Sequence, residues 1–125
     1  MAYDSTMNDN DKLEQLFSEQ QYMVLAVVQQ DGAPWVVPVR IQARSGNEFE
    51  WDSALTTEHS KALSVNEKMA ITIFDKKVDS QVGFYAKGTA KLVEEFKPGF
   101  GRYKFTAEQC WINDETFVKR EVSLG

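Results

Sequence analysis

One cysteine and one histidine stand in 125 residues, and neither scarcity is neutral. Cys110 alone makes no intramolecular disulfide. With Gln109 and Trp111 as its sequence neighbours it has no activating cation, so it reads as a packed thiol rather than a nucleophile. One imidazole and no carboxylates at ligand spacing exclude an ordinary zinc or transition-metal site. Basic clusters longer than a pair are also missing. With 14 basic against 19 acidic residues and a net charge of −5, the chain lacks the electrostatic footprint of a nucleic-acid binder. Apolar runs such as Tyr22 to Val28 are too short to span a bilayer. The first ten residues are polar and acidic, unlike a signal peptide, so the expected compartment is the cytoplasm. A glycine-rich dinucleotide fingerprint, a P-loop and a serine nucleophile elbow are absent too.

What remains is an ordinary globular composition, 42% hydrophobic and 26% charged, in a length that suits one domain. Residues 1–10 read as a mobile tail and 11–125 as a single domain. Leu13, Leu16 and Phe17 at helical spacing predict a helix over Asp11 to Gln20, with Asp9, Asn10 and Asp11 as cap candidates. Tyr22 to Gln30 and Trp35 to Ile41 are apolar runs joined through Asp31-Gly32, which predicts a β-hairpin. Pro38 cannot donate a ladder bond, so its strand lies at an edge or a bulge. Ser45-Gly46-Asn47 is a second turn, leading into a strand over Glu48 to Asp52. A helix is expected from about Thr57 to Glu67, then a strand from Lys68 to Asp75 and a polar loop from Lys76 to Gln81. Val82 to Val93 reads as a long strand with Gly88 at a bend, and Glu94 to Gly101 as a loop. Tyr103 to Ile112 and Thr116 to Leu124 complete the set as two strands. Six or seven strands in hairpin order, with one or two short helices, predict a mainly β chain folded as a closed or partly closed antiparallel barrel.

Chemistry concentrates between Glu48 and Lys61. A strand and a polar turn lead into a helix whose first turn carries hydroxyls, an imidazole and an ammonium. Free N–H groups, the helix dipole, Ser/Thr donors and a lysine suit an anion, above all a phosphate. Thr56 or Thr57 serving simply as a cap, with Lys61 solvated, is the competing reading. His59 has neither a nucleophile nor an orienting partner placeable beside it, so no catalytic residue is assigned. If the protein is an enzyme, a cofactor performs the chemistry.

The order Asp31-Gly32-Ala33-Pro34, Val37-Pro38-Val39, Phe49-Glu50-Trp51-Asp52-Ser53, His59-Ser60-Lys61 and Tyr85-Ala86-Lys87-Gly88-Thr89-Ala90 resembles the pyridoxamine 5′-phosphate oxidase-like, FMN-binding split-barrel family. The likeness runs from about Leu13 to Leu124. It implies a six-stranded antiparallel split β-barrel that forms a homodimer, with FMN in clefts between the subunits. Carried over by position, Lys61 would hold the phosphate, helped by Ser60 and His59. Ser53 and Arg40 would contact the phosphate or ribityl chain, and Val37 and Val39, flanking Pro38, would offer backbone groups to the flavin ring. Trp51 belongs to the same cofactor set. Trp111, with Tyr85 and Lys87, would close the cleft from the partner subunit. The end of the chain, Val118-Lys119-Arg120-Glu121-Val122-Ser123-Leu124, lacks the Arg-x-His pair of true pyridoxamine phosphate oxidases. Ala62-Leu63-Ser64 stands where relatives commonly place asparagine. The chain is more similar to the short flavin-nucleotide-binding, general-stress-type members. The implied function is a flavin-dependent oxidoreductase on a small substrate. Its alternatives are a non-enzymatic flavin-binding or stress-response module, or a barrel with a different cofactor or none.

Overall fold

The computed structural model describes residues 6–77 and 80–124. Eight antiparallel strands form one sheet in the order β2-β1-β5-β6-β7-β4-β3, with β8 paired to β7. The strands are β1 (Tyr22–Val28), β2 (Pro34–Arg40), β3 (Ala43–Ser45), β4 (Glu48–Ala54), β5 (Lys68–Phe74), β6 (Gly83–Lys97), β7 (Phe100–Asn113) and β8 (Arg120–Val122). Helix α1 covers Asp9–Glu19 and α2 covers Glu58–Leu63. The sheet curls until β4 touches β2, yet no ladder joins the two. This is a split barrel of six long strands and two short ones.

Alternation decides the inside. Met23, Leu25 and Val27 of β1, Met69, Ile71 and Ile73 of β5, and Phe84 and Ala86 of β6 all point inward and are buried. Helix α1 contributes Leu13 and Leu16, both at 0% exposure. Its Phe17 meets Phe49 and Phe84 edge-on, at 5.6 and 5.0 Å between ring centres.

Turn chemistry sets the first hairpin. Gly32 takes φ +87° and Ala33 N donates to Asp31 Oδ1, while Pro38 pairs with Val24 on a strand that forms one end of the sheet. Gly88 sits at a bulge in the β6–β7 ladder. A Cβ there would lie 2.0 Å from the Thr106 carbonyl oxygen, so only glycine fits.

Several boundaries differ from the sequence expectation. Helix α1 begins two residues early because Asn8 is the cap, its side chain accepting from Asp11 N; Asp9 and Asn10 thus belong to the helix, not to a tail. Helix α2 stops at Leu63 because Asn66 Oδ1 accepts from Lys68 N, turning the chain into β5. Glu94 to Lys97 is strand rather than loop: β6 and β7 run on to a two-residue turn, Pro98-Gly99, with Gly99 at φ +82°. The final strand is only three residues, because Asp114 ties Thr116 into a loop. In the loop expected over Lys76 to Gln81, Val78 and Asp79 lie outside the described residues.

Candidate functional site

Helix α2 follows β4 directly and packs against β1 and β2 across the split. Thr57 is its cap, with Oγ1 accepting from Ser60 N. That spacing, threonine then a residue three on, is the signature of a helix start. Thr57 Oγ1 also lies 2.7 Å from Ser60 Oγ. His59 Nε2 lies 2.8 Å from Ser53 Oγ and 3.3 Å from Thr57 Oγ1. Ser53, Thr57, His59 and Ser60 therefore form one hydrogen-bonded cluster, joining the end of β4 to the start of α2. His59 and Ser60 are buried. Desolvation lowers the His59 pKa from its ordinary value, which favours the neutral imidazole.

Lys61 behaves differently. Its side chain is 59% exposed and, among the described residues, pairs only with Glu58, at 3.0 Å. An exposed pair of this kind is worth roughly 0–1 kcal/mol, so the ammonium is easily recruited elsewhere. It borders two concavities. One, of ≈ 450 Å³, includes Ser60, Leu63, Lys91 and Tyr103; the other, of ≈ 180 Å³, lies beside Gln29, Gln30 and Glu58. The arrangement matches the competing reading, with Thr57 as the cap and Lys61 exposed, and adds that the ammonium stands at the rim of grooves. Glu58 was overlooked in the sequence, although its position three residues before Lys61 signals the ion pair.

The strand β2 offers its backbone. Val37 and Val39 turn their side chains inward, and Pro38 faces out. Only one side of β2 pairs, so alternate main-chain groups on the other side face the split. Arg40 is exposed and has no hydrogen-bond or ion-pair partner among the described residues. However, Lys61 faces the Gln29–Gln30 end of the β1–β2 hairpin, and Arg40 closes the opposite end of β2. Six residues of strand separate those ends by about 20 Å. Within one chain the two cations lie towards opposite ends of β2.

Trp51 is likewise displaced from the expected cleft. It is at 0% exposure inside the barrel, stacked on Tyr103 at 5.4 Å, so it packs the core rather than facing a ligand. Trp111 lies on the sheet's outer surface, with Lys87 Nζ 5.5 Å from its ring. Lys119 Nζ sits 4.3 Å over Tyr85 in the same region. Both lysines border a basin of ≈ 620 Å³, floored by Val24, Ala26, Ala70 and Thr72. The Lys119–Tyr85 contact depends on strand register and could not be read from local sequence.

The described residues contain no group of three or more His, Cys, Asp or Glu that could hold a metal, and no helix among them is long and apolar enough to cross a membrane. An open antiparallel barrel with a helix across its split defines the class of the split β-barrels. A sequence model of the family described as pyridoxamine 5′-phosphate oxidase matches residues 9–122, and the chain belongs to that family. No curated protein matches it in sequence. Among solved structures it is similar to a Clostridium acetobutylicum protein related to general stress protein 26, with TM-score 0.77, 13% identity, and 94% of this chain and 97% of that one covered. A heme-binding protein from Mycobacterium smegmatis gives TM-score 0.80 at 12% identity, covering 96% of this chain and 60% of that one. The heme storage protein HutZ of Vibrio cholerae gives 0.74 at 14%, covering 86% and 96%. At such identities the likeness is one of fold.

Proposed function

We propose that the protein is a homodimer that binds FMN and acts as a flavin-dependent oxidoreductase on a small substrate. The observation that carries this reading is Lys61. Ser53, Thr57, His59 and Ser60 are hydrogen-bonded to one another, whereas this ammonium is exposed, weakly paired and at the rim of two grooves. The donor set fits the phosphate end of FMN: Lys61 supplies the charge, while Ser53, His59 and Ser60 hold the helix start in place. Residues 37–39 on the open side of β2 suit the flavin ring edge, with Trp111 of a second copy as its cover. When bound, FMN supplies one- and two-electron transfer; the chain binds, orients and shields it.

The second reading, a non-enzymatic flavin module or a different ligand such as heme, draws on the heme-binding structural neighbours. His59 argues against heme. It is the chain's one imidazole, it is buried, and its Nε2 faces Ser53 Oγ. It cannot ligate iron without dismantling that cluster.

Charge-assisted hydrogen bonds to a phosphate contribute about 1.5–3 kcal/mol each. Lys61→Ala should accordingly weaken FMN binding about ten- to a hundredfold in a fluorescence titration. An unchanged dissociation constant refutes the assignment. NAD(P)H consumption by the flavin-loaded protein separates an enzyme from a binding module.

A further inference from the structure

One carboxylate ties the start of α2 to the first hairpin through both of its oxygens. Glu58 Oε1 lies 3.0 Å from Lys61 Nζ, and Glu58 Oε2 accepts from Gln29 Nε2 at 3.4 Å. Gln29 is itself fixed in the turn between β1 and β2. Its N–H donates to the Ala33 carbonyl, and its own carbonyl accepts from Gly32 N. Gln29, Glu58 and Lys61 border one concavity of ≈ 180 Å³, together with Gln30 and Ala62. An acidic residue in the first turn of a helix complements the helix dipole wherever its side chain points. That use calls for neither the lysine nor the glutamine.

The pairing matters for any anion that approaches. Glu58 is the ammonium's one ion-pair partner among the described residues. A ligand phosphate must either displace this carboxylate or sit beside a like charge, and both weaken binding. Displacement is mild, because the pair is exposed and Gln29 still holds the other oxygen. We infer that Glu58 is a built-in competitor for Lys61, an intramolecular anion that sets how tightly and how selectively the site takes a phosphate. The contact sorts ligands by charge. A monophosphate, at about −1.5 to −2 near pH 7, outcompetes one carboxylate for the ammonium, whereas a monocarboxylate ligand meets its equal. This rests on the phosphate reading of Lys61 above and adds what regulates that ammonium.

Titrating FMN and riboflavin against wild type, Glu58→Gln, Lys61→Ala and the double variant tests it. Glu58→Gln removes the charge and keeps an oxygen for Gln29. It should tighten FMN about three- to tenfold and leave riboflavin within about twofold of wild type. In the Lys61→Ala background the same substitution should shift FMN affinity by no more than about twofold, because no ammonium is left to free. Asp11→Asn removes an equal charge at the other end of the molecule and should leave FMN binding unchanged. Its neighbour Lys12 reaches Asp114 just past the end of β7, while β4, which leads into α2, pairs with the start of β7. FMN bound equally or more weakly by Glu58→Gln overturns the inference. So does an equal gain for riboflavin, an equal gain in Asp11→Asn, or an undiminished gain in the double variant. In each of those cases weakened FMN binding by Lys61→Ala leaves the phosphate reading standing. If Lys61→Ala binds FMN as wild type does, that reading falls and this inference falls with it.

Discussion

The chain holds charge in two contrasting ways. Where its ends meet, Lys12 from α1 donates to Asp114 at 2.9 Å, and Arg120 reaches both Asp114 at 2.6 Å and Asp9 at 2.9 Å. Thr116 adds its backbone and hydroxyl to the same carboxylate. The hydrogen bond from Arg120, joined by those from Thr116 and Lys12, outweighs burial and holds Asp114 well below the usual carboxylate range. Burial pulls the Lys12 pKa down, but Asp114 more than compensates, and the net shift is upward. At the start of α2, by contrast, the neutral groups interlock and the cation is left outside with one surface partner. The lesson is a division of labour. The charges that fasten the fold centre on a buried, saturated pair, Lys12 and Asp114, whereas the charge at the start of α2 is left accessible and cheaply displaced.

That contrast can be broken in order of expected size. Asp114→Ala leaves the Lys12 ammonium buried without its main partner, so unfolding by denaturant should show a loss of about 3–5 kcal/mol. A loss no larger than that of a surface substitution would dissolve the distinction. Lys61→Ala should leave stability within about 0.5 kcal/mol while weakening FMN, the opposite profile. The smallest effect concerns acid. His59 has its pKa lowered by burial from 6.5, so its contribution is fully present above that value, where folded and unfolded states are both neutral. As pH falls below 6.5 the unfolded chain takes up the proton first and stability declines. Denaturation midpoints measured from about pH 7.5 to 5 should fall more steeply for wild type than for His59→Asn. Parallel curves would show that the imidazole is not shielded as described.

Much of this was legible in the residues themselves, for reasons that can be named. Met69, Ile71 and Ile73 alternate with exposed or half-buried neighbours, so β5 declared its inner face. Asp31-Gly32, Pro38 and Gly88 are positions where backbone geometry restricts the residue, and each marked its turn, edge or bulge. The last turn-ward residues of β6, 94–97, were illegible as strand because they are exposed and carry no one-sided pattern. Their strand character comes from cross-strand pairing alone. The Lys12–Asp114 bond joins residues 102 apart, and nothing local announces it. At the candidate site, no partner was placeable beside His59 from local order; Ser53 fills that role across six residues, because the strand-to-helix turn folds the chain back on itself.

The central claim is that Lys61 recognises the phosphate of a flavin nucleotide, and comparing FMN with riboflavin isolates that group. Titrating both ligands against wild type and Lys61→Ala should show wild type favouring FMN by about tenfold or more, with most of that preference gone in the variant. Equal affinity of wild type for the two ligands would contradict it.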